Sequence, residues 1–205
     1  MENSVVLTGI FGSDERHALA AWTSTSRELP EEKRVRIPNL LKFLAENGHT
    51  TPFEKSYIEF LITCDTASHI HILKHRVGVS VNGESARYKE LKDDKYYIPD
   101  DWPEHMKINL SQDTNISLDL YHYAIKELET EGLSRKRAKE SARYYLPYAN
   151  QVQLNVSFNF QSFMHFQKLR NAEDAQLEIQ EIAKEMLRLV KEDGSFQHSL
   201  AAYGF

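Results

Sequence analysis

A single cysteine, Cys64, six prolines and two tryptophans occur in these 205 residues. One cysteine excludes an intrachain disulfide and any multi-cysteine metal site, and no metal site is expected. Cys64 closes the apolar run Phe60-Leu61-Ile62-Thr63-Cys64, with no neighbouring His or Arg to lower its pKa, so it reads as an inert core thiol. No apolar stretch approaches the roughly 18 residues of a membrane-spanning helix, and no membrane association is expected. The segment Met1-Glu2-Asn3-Ser4 has neither the basic nor the apolar region of a signal peptide, which makes the cytoplasm the expected location. Positive charge is also scarce. With 25 Lys and Arg against 30 Asp and Glu, the net charge is -5 and the pI about 6.0, a balance that argues against a general nucleic-acid binder. Local basic clusters therefore point to small anionic ligands. The Gly-x-Gly-x-x-Gly turn of dinucleotide-binding sheets is absent as well.

What is present suits one domain over residues 1–205, since 41% hydrophobic residues suffice for a core at this length. Val5 to Ile10 reads as a strand, His17 to Trp22 as part of a helix, and Ile37 to Leu44 as a helix stopped by Asn47-Gly48. Tyr57 to Thr63 and Val152 to Phe158 alternate as strands do. Ala67 to Arg76 has helical spacing, grouping His71, Lys74 and His75 at i, i+3 and i+4, and Gly78, Asn82 and Gly83 then break regular structure. A connection through Tyr96, Tyr97, Pro99 and Pro103 leads to a long amphipathic helix marked by Leu118, His122, Ile125 and Leu128. Ser134 caps the next helix, Ser162 to Leu169 forms another, and the last carries Ile179, Ile182, Met186, Leu189 and Val190. No βαβ rhythm appears. An α+β fold, with a mixed, mainly antiparallel sheet and long helices, is expected.

Four stretches carry chemistry. From Lys74 to Tyr88, a cationic triplet, Lys74, His75 and Arg76, is followed by a glycine-bearing loop and then by Ser85, Ala86, Arg87 and Tyr88. Guanidinium forks, loop amides and a hydroxyl make an anion cradle. Asn47 to Glu54 sets His49, Thr51 and Glu54 close together, either to hold polar groups of a cofactor or, for Thr51 and Glu54, to cap the next element. Arg143 stands near a helix end, four residues before Pro147, where solvent or the helix carbonyls are its ordinary partners. Asn159, Gln161, His165, Gln167 and Arg170 lie on an otherwise aromatic helix, as a solvated face or as a binding face.

These stretches resemble the flavin-dependent thymidylate synthases, whose signature is usually Arg-His-Arg, a short spacer and Ser-x-Arg-Tyr. Here Lys74 replaces the first arginine and the spacer is one residue longer. Gly-His-x-Thr-Pro-Phe-Glu, matched at residues 48–54, is a second shared element. The resemblance implies FAD contacts from Ser26 (or Ser24), His49, Thr51, Glu54, Lys74, His75, Arg76, Asn159, Gln161 and His165. For the nucleotide dUMP it implies His71, Lys74, Glu84, Ser85, Ala86, Arg87, Arg143 and Arg170. Gln161 replaces an arginine of the family pattern, and His165 stands where asparagine is common. Arg170 would face the uracil as the catalytic group. The implied reaction is reductive methylation of dUMP to dTMP, with 5,10-methylenetetrahydrofolate as carbon donor and NADPH as reductant, in a homotetramer with active sites at subunit interfaces. A methylase or hydroxymethylase of UMP or CMP on the same scaffold, and a noncatalytic nucleotide-binding homologue, are the alternatives.

Overall fold

The computed structural model describes residues 2–85, 90–91 and 95–205. Strand β1 (Ser4–Phe11) leads into α1 (Asp14–Ala21), where the Ser13 side chain caps the helix by accepting from the Arg16 amide at 3.3 Å. A single turn, α2 (Glu31–Arg34), precedes α3 (Ile37–Glu46), which buries Ile37, Leu41 and Leu44. Gly48, at φ 70°, stops α3 at the place its sequence foretold. Strand β2 (Tyr57–Asp65) buries Ile58, Phe60, Ile62 and Cys64 in strict alternation. Asp65 then caps α4 (Thr66–Leu73), accepting from the Ser68 amide at 2.8 Å and its hydroxyl at 2.7 Å. Next come β3 (Val79–Gly83), α5 (Glu104–Thr130), α6 (Arg135–Ala142), β4 (Gln151–Phe158), α7 (Phe160–Arg170), α8 (Leu177–Asp193) and α9 (Gln197–Ala202). The strands form one four-stranded antiparallel sheet in the order β1-β2-β4-β3, so the fold is α+β. Among the described residues no helix is long and apolar enough to cross a membrane.

Four boundaries differ from the sequence reading. Helix α4 ends at Leu73, so Lys74, His75 and Arg76 lie beyond it. The cause is a competing attachment: the Ser162 hydroxyl donates to the Val77 carbonyl at 2.7 Å, and the Asn159 amide donates to the Gly78 carbonyl at 2.9 Å. The stretch expected to be irregular contains β3, an edge strand held by its pairing with β4 rather than by its own β propensity. Helix α5 begins at Glu104, well before its apolar pattern becomes regular. Helix α8 is followed by a further short helix, α9.

The chain divides into two compact units. The first comprises Met1–Ser4, Ile62–Leu73 and Asn82–Leu154. Its helical core packs Tyr121 and Ile125 of α5 against Ala138 and Ala142 of α6, and the Tyr121 hydroxyl accepts from the Leu91 amide at 3.2 Å.

The second unit comprises Val5–Leu61, Lys74–Val81 and Asn155–Phe205. At its centre His17 is 0% exposed, surrounded by the rings of Phe53, Phe160 and Phe196 at 5.2–5.3 Å. The Ser199 hydroxyl donates to Asp14 at 2.6 Å, so its oxygen accepts from His17 Nδ1 at 2.9 Å. His17 Nε2 is then the acceptor for the Ser56 hydroxyl at 2.9 Å, whose oxygen takes the Phe160 amide at 3.3 Å. The Ser56 hydroxyl also reaches the Phe53 carbonyl at 3.4 Å, and its closer contact with Nε2 suits a neutral imidazole. Burial, with Arg16 nearby, correspondingly lowers the His17 pKa to about 4.

Candidate functional site

Helix α7 is the spine of the site because its two faces have different periodic content. Phe160, Phe163, Met164, Phe166 and Gln167 are buried, while Gln161, His165 and Leu169, spaced by four, lie on one other stripe with Ser162 beside them. Asn159 caps the helix, its side-chain oxygen accepting from the Ser162 amide at 2.8 Å. Gln167 is structural: it donates to the Ala183 carbonyl of α8 at 3.0 Å.

The exposed stripe of α7 and the segment after α4 enclose a cleft of about 400 Å³. Six of the residues singled out in the sequence meet there: Lys74, His75, Arg76, Gln161, His165 and Arg170. Three are fixed cations and two are imidazoles, and no carboxylate is among the described lining residues. A cavity with positive charge on both walls is suited to anionic oxygen ligands. Arg170 donates from Nε to His75 Nε2 at 3.1 Å, and His75 packs edge-on against Phe166 at 4.9 Å.

Gly78 is what allows the cationic segment to lie so close to α7. It has φ 64°, and a Cβ there would fall 2.3 Å from Asn159 Nδ2 and 2.4 Å from Ser162 Oγ. A side chain at this position would meet both a strained backbone and occupied space.

A second cleft in the same unit, about 560 Å³, brings Ser24, His49 and Thr51 together, with Phe43 on its wall. The Phe43 and His49 rings stack at 6.2 Å between centroids. Ser26 lies elsewhere, with its oxygen accepting from the Glu28 amide at 3.3 Å. Thr51 and Glu54 are exposed members of a 3-10 turn, and Thr50, which caps that turn, makes no side-chain bond to it.

The remaining candidates are in the first unit. His71 is half-buried on α4, and Glu84 and Ser85 follow β3, where the Glu84 amide donates to the Gln153 carbonyl at 2.7 Å. Arg143 is exposed on a 3-10 turn that continues α6. Ala86 and Arg87 lie outside the described residues. Sequence reasoning missed Ser162 and Gly78 as the parts that hold the cationic segment. The signal available was a serine three residues after a helix-capping asparagine, together with a glycine two residues after Arg76.

Cys64 is 0% exposed on β2, and burial, with Asp65 beside it, raises its pKa well above that of a free thiol. Among the described residues no cluster of three or more His, Cys, Asp or Glu could hold a metal ion.

Comparison with known proteins agrees with these features. A flavin-dependent thymidylate synthase of Thermosipho africanus is 32% identical over 197 residues, covering 91% of this chain and 85% of that protein. One of Mycobacterium avium is 30% identical over 180 residues, covering 82% and 70%. A crystal structure of the UMP/dUMP methylase PolB from Streptomyces cacaoi bound with 5-Br dUMP superposes with a TM-score of 0.81 at 23% identity, covering 99% of this chain and 95% of that one. The sequence pattern of the thymidylate synthase complementing protein family matches residues 6–193, and the chain belongs to this enzyme family.

Proposed function

We propose that this protein converts dUMP to dTMP by reductive methylation, using 5,10-methylenetetrahydrofolate as the carbon donor and NADPH as the reductant with bound FAD. The observation that carries the reading is the cleft in which Arg170 faces a cationic segment while the chain's one cysteine is buried and unreactive. Lys74 and Arg76 provide charge for phosphate oxygens. The residues suit FAD in kind: a cationic cleft for a pyrophosphate, and a second cleft where Thr51, His49 and Ser24 offer polar contacts beside the apolar wall of Phe43. When bound, FAD supplies the redox chemistry that transfers reducing equivalents from NADPH.

The chain's own contribution is charge at the pyrimidine. A guanidinium stays protonated at working pH, so Arg170 beside the uracil favours ionisation of N3. The electron-rich ring then forms its C5 bond to the methylene carbon as a bond from that carbon to a folate nitrogen breaks, the nitrogen keeping the electron pair, and no enzyme nucleophile is needed. Ser85 and Arg87 complete the nucleotide contacts in this reading, with Arg143 reaching the nucleotide of a neighbouring subunit. Exposed Met106, Ile108, Ile116, Leu120 and Tyr123 along α5 offer apolar surface for the homotetramer that such shared sites require. The cytoplasm is the compartment proposed for it.

A second reading, methylation of UMP, is favoured by the presence of both Lys74 and Gln161 in the cleft, where the family pattern has arginine. One experiment separates the possibilities. Single-turnover reactions with FAD, NADPH, methylenetetrahydrofolate and dUMP, UMP or CMP are analysed for methylated nucleotide. Product from dUMP alone is the expected result, product from UMP supports the second reading, and protein that remains colourless after incubation with FAD overturns both.

A further inference from the structure

We propose that His75 is a positioning residue for Arg170, holding the plane of its guanidinium through the bond between Arg170 Nε–H and His75 Nε2. The inference rests on the reading that Arg170 faces the pyrimidine, and it adds a residue whose protonation decides whether that arginine is held.

The direction of the bond is fixed by chemistry. An arginine Nε–H only donates, so at 3.1 Å the His75 Nε2 must accept, and the imidazole is neutral with its proton on Nδ1. His75 is 8% exposed and is backed by the Phe166 ring at 4.9 Å, so it has little room to turn away. Its backbone is tethered as well, because Val77 and Gly78 are bonded to Ser162 and Asn159 at the start of α7, the helix that ends in Arg170. Imidazole and guanidinium are thus fixed to one rigid element from both sides.

Protonation of His75 would set one N–H donor against another and bring a second positive charge to the guanidinium. The bond would be lost. Among the described residues that line the cleft, the charged and titratable groups near His75 are Lys74 and Arg76 on its own segment and His165 and Arg170 on α7, with the His165 ring 5.9 Å away. The geometry thus couples the two groups: Arg170 is held while His75 is neutral and released when His75 is protonated.

The test has a structural arm and a kinetic arm. In protein labelled with 15N-arginine, the Arg170 Nε–H signal, assigned with Arg170→Lys, is expected to exchange with solvent about 10-fold more slowly at neutral pH than in His75→Ala. In the unmutated protein the protection should be lost on acidification. His75→Gln places an amide oxygen near the position of Nε2 and cannot gain a proton in this range, so it should retain protection at both pH values. In the kinetic arm, His75→Ala should lower kcat for nucleotide methylation about 10- to 100-fold with KM changed less than about 3-fold. His75→Gln should restore most of kcat and remove the acid limb of its pH profile. An unprotected Nε–H in the unmutated protein, protection unchanged in His75→Ala, or a folded His75→Gln no better than His75→Ala would overturn the proposal. The structural arm does not depend on turnover: an inactive protein with a protected, pH-sensitive Nε–H would refute the functional reading and uphold the His75–Arg170 coupling.

Discussion

His17 and His75 lie in the same compact unit, both largely hidden from solvent and both hydrogen-bonded through Nε2. The His17 ring itself bonds only uncharged hydroxyls, and Asp14 behind them takes the Ser199 hydroxyl and the His198 and Ser199 amides. Around His75 the described neighbours include Arg170, the Phe166 ring and the His165 imidazole, with Lys74 and Arg76 beside it in sequence, and one side opens into a cleft of about 400 Å³. Burial alone therefore does not distinguish a structural histidine from one that serves a site. The opening does, because cationic groups that line a cleft can meet a ligand there.

Arg170→Ala strikes the open side of this comparison and has the largest expected effect. Turnover of dUMP should fall about 100- to 1000-fold, as for loss of one preorganised transition-state donor, while FAD absorbance is largely retained. Normal kcat in the variant would remove Arg170 from the mechanism.

The closed side should respond through stability. The folded pKa of His17 is depressed to about 4, below the ordinary 6.5, so the unfolded chain binds the proton more readily. The contribution is present above about pH 6.5 and is lost as pH falls towards 4, amounting to roughly 3 kcal/mol. Urea melts of the unmutated protein and of His17→Leu over this range should show the slope diminished in the variant. An equal slope in both would assign the acid sensitivity to other groups.

Gly78→Ala lies where the two regions share an element, since α7 begins beside Ser56 and carries the cleft residues. Its Cβ clashes with Asn159 and Ser162, and the positive φ adds strain, for an expected loss of about 2 kcal/mol and weaker retention of FAD. Thermal melts and flavin titration read the two effects separately. Smallest is Cys64→Ala, which should cost about 1 kcal/mol in stability and leave kcat unchanged. Inactivity of the folded variant would restore a thiol mechanism.

The α+β class and the strands β1, β2 and β4 were legible because their patterns are local. In β2 the alternation of Ile58, Phe60, Ile62 and Cys64 is itself the burial pattern. Edge strand β3 was not, since Asn82 and Gly83 are turn-forming residues made extended by pairing with β4. At the site, six residues expected from two motifs line one cavity, an expectation that came from the resemblance of both motifs to one family rather than from any local pattern. Their attachment was hidden. The helix α4 pattern continues on paper through Lys74 and His75, and bonds from Ser162 to Val77, 85 residues apart, and from Asn159 to Gly78 end it. The His17 node was equally invisible, its partners being 39 and 182 residues distant.

That last separation bears on how the protein is made. During synthesis the N-terminal helix emerges early, but the Asp14 and His17 partners on α9 do not exist until residues 198 and 199 have been added. The nascent second unit must therefore wait with an apolar pocket and a carboxylate unfilled. Closure around His17 can follow only once α9 has been made, and until then the apolar pocket is open to chaperone binding or aggregation.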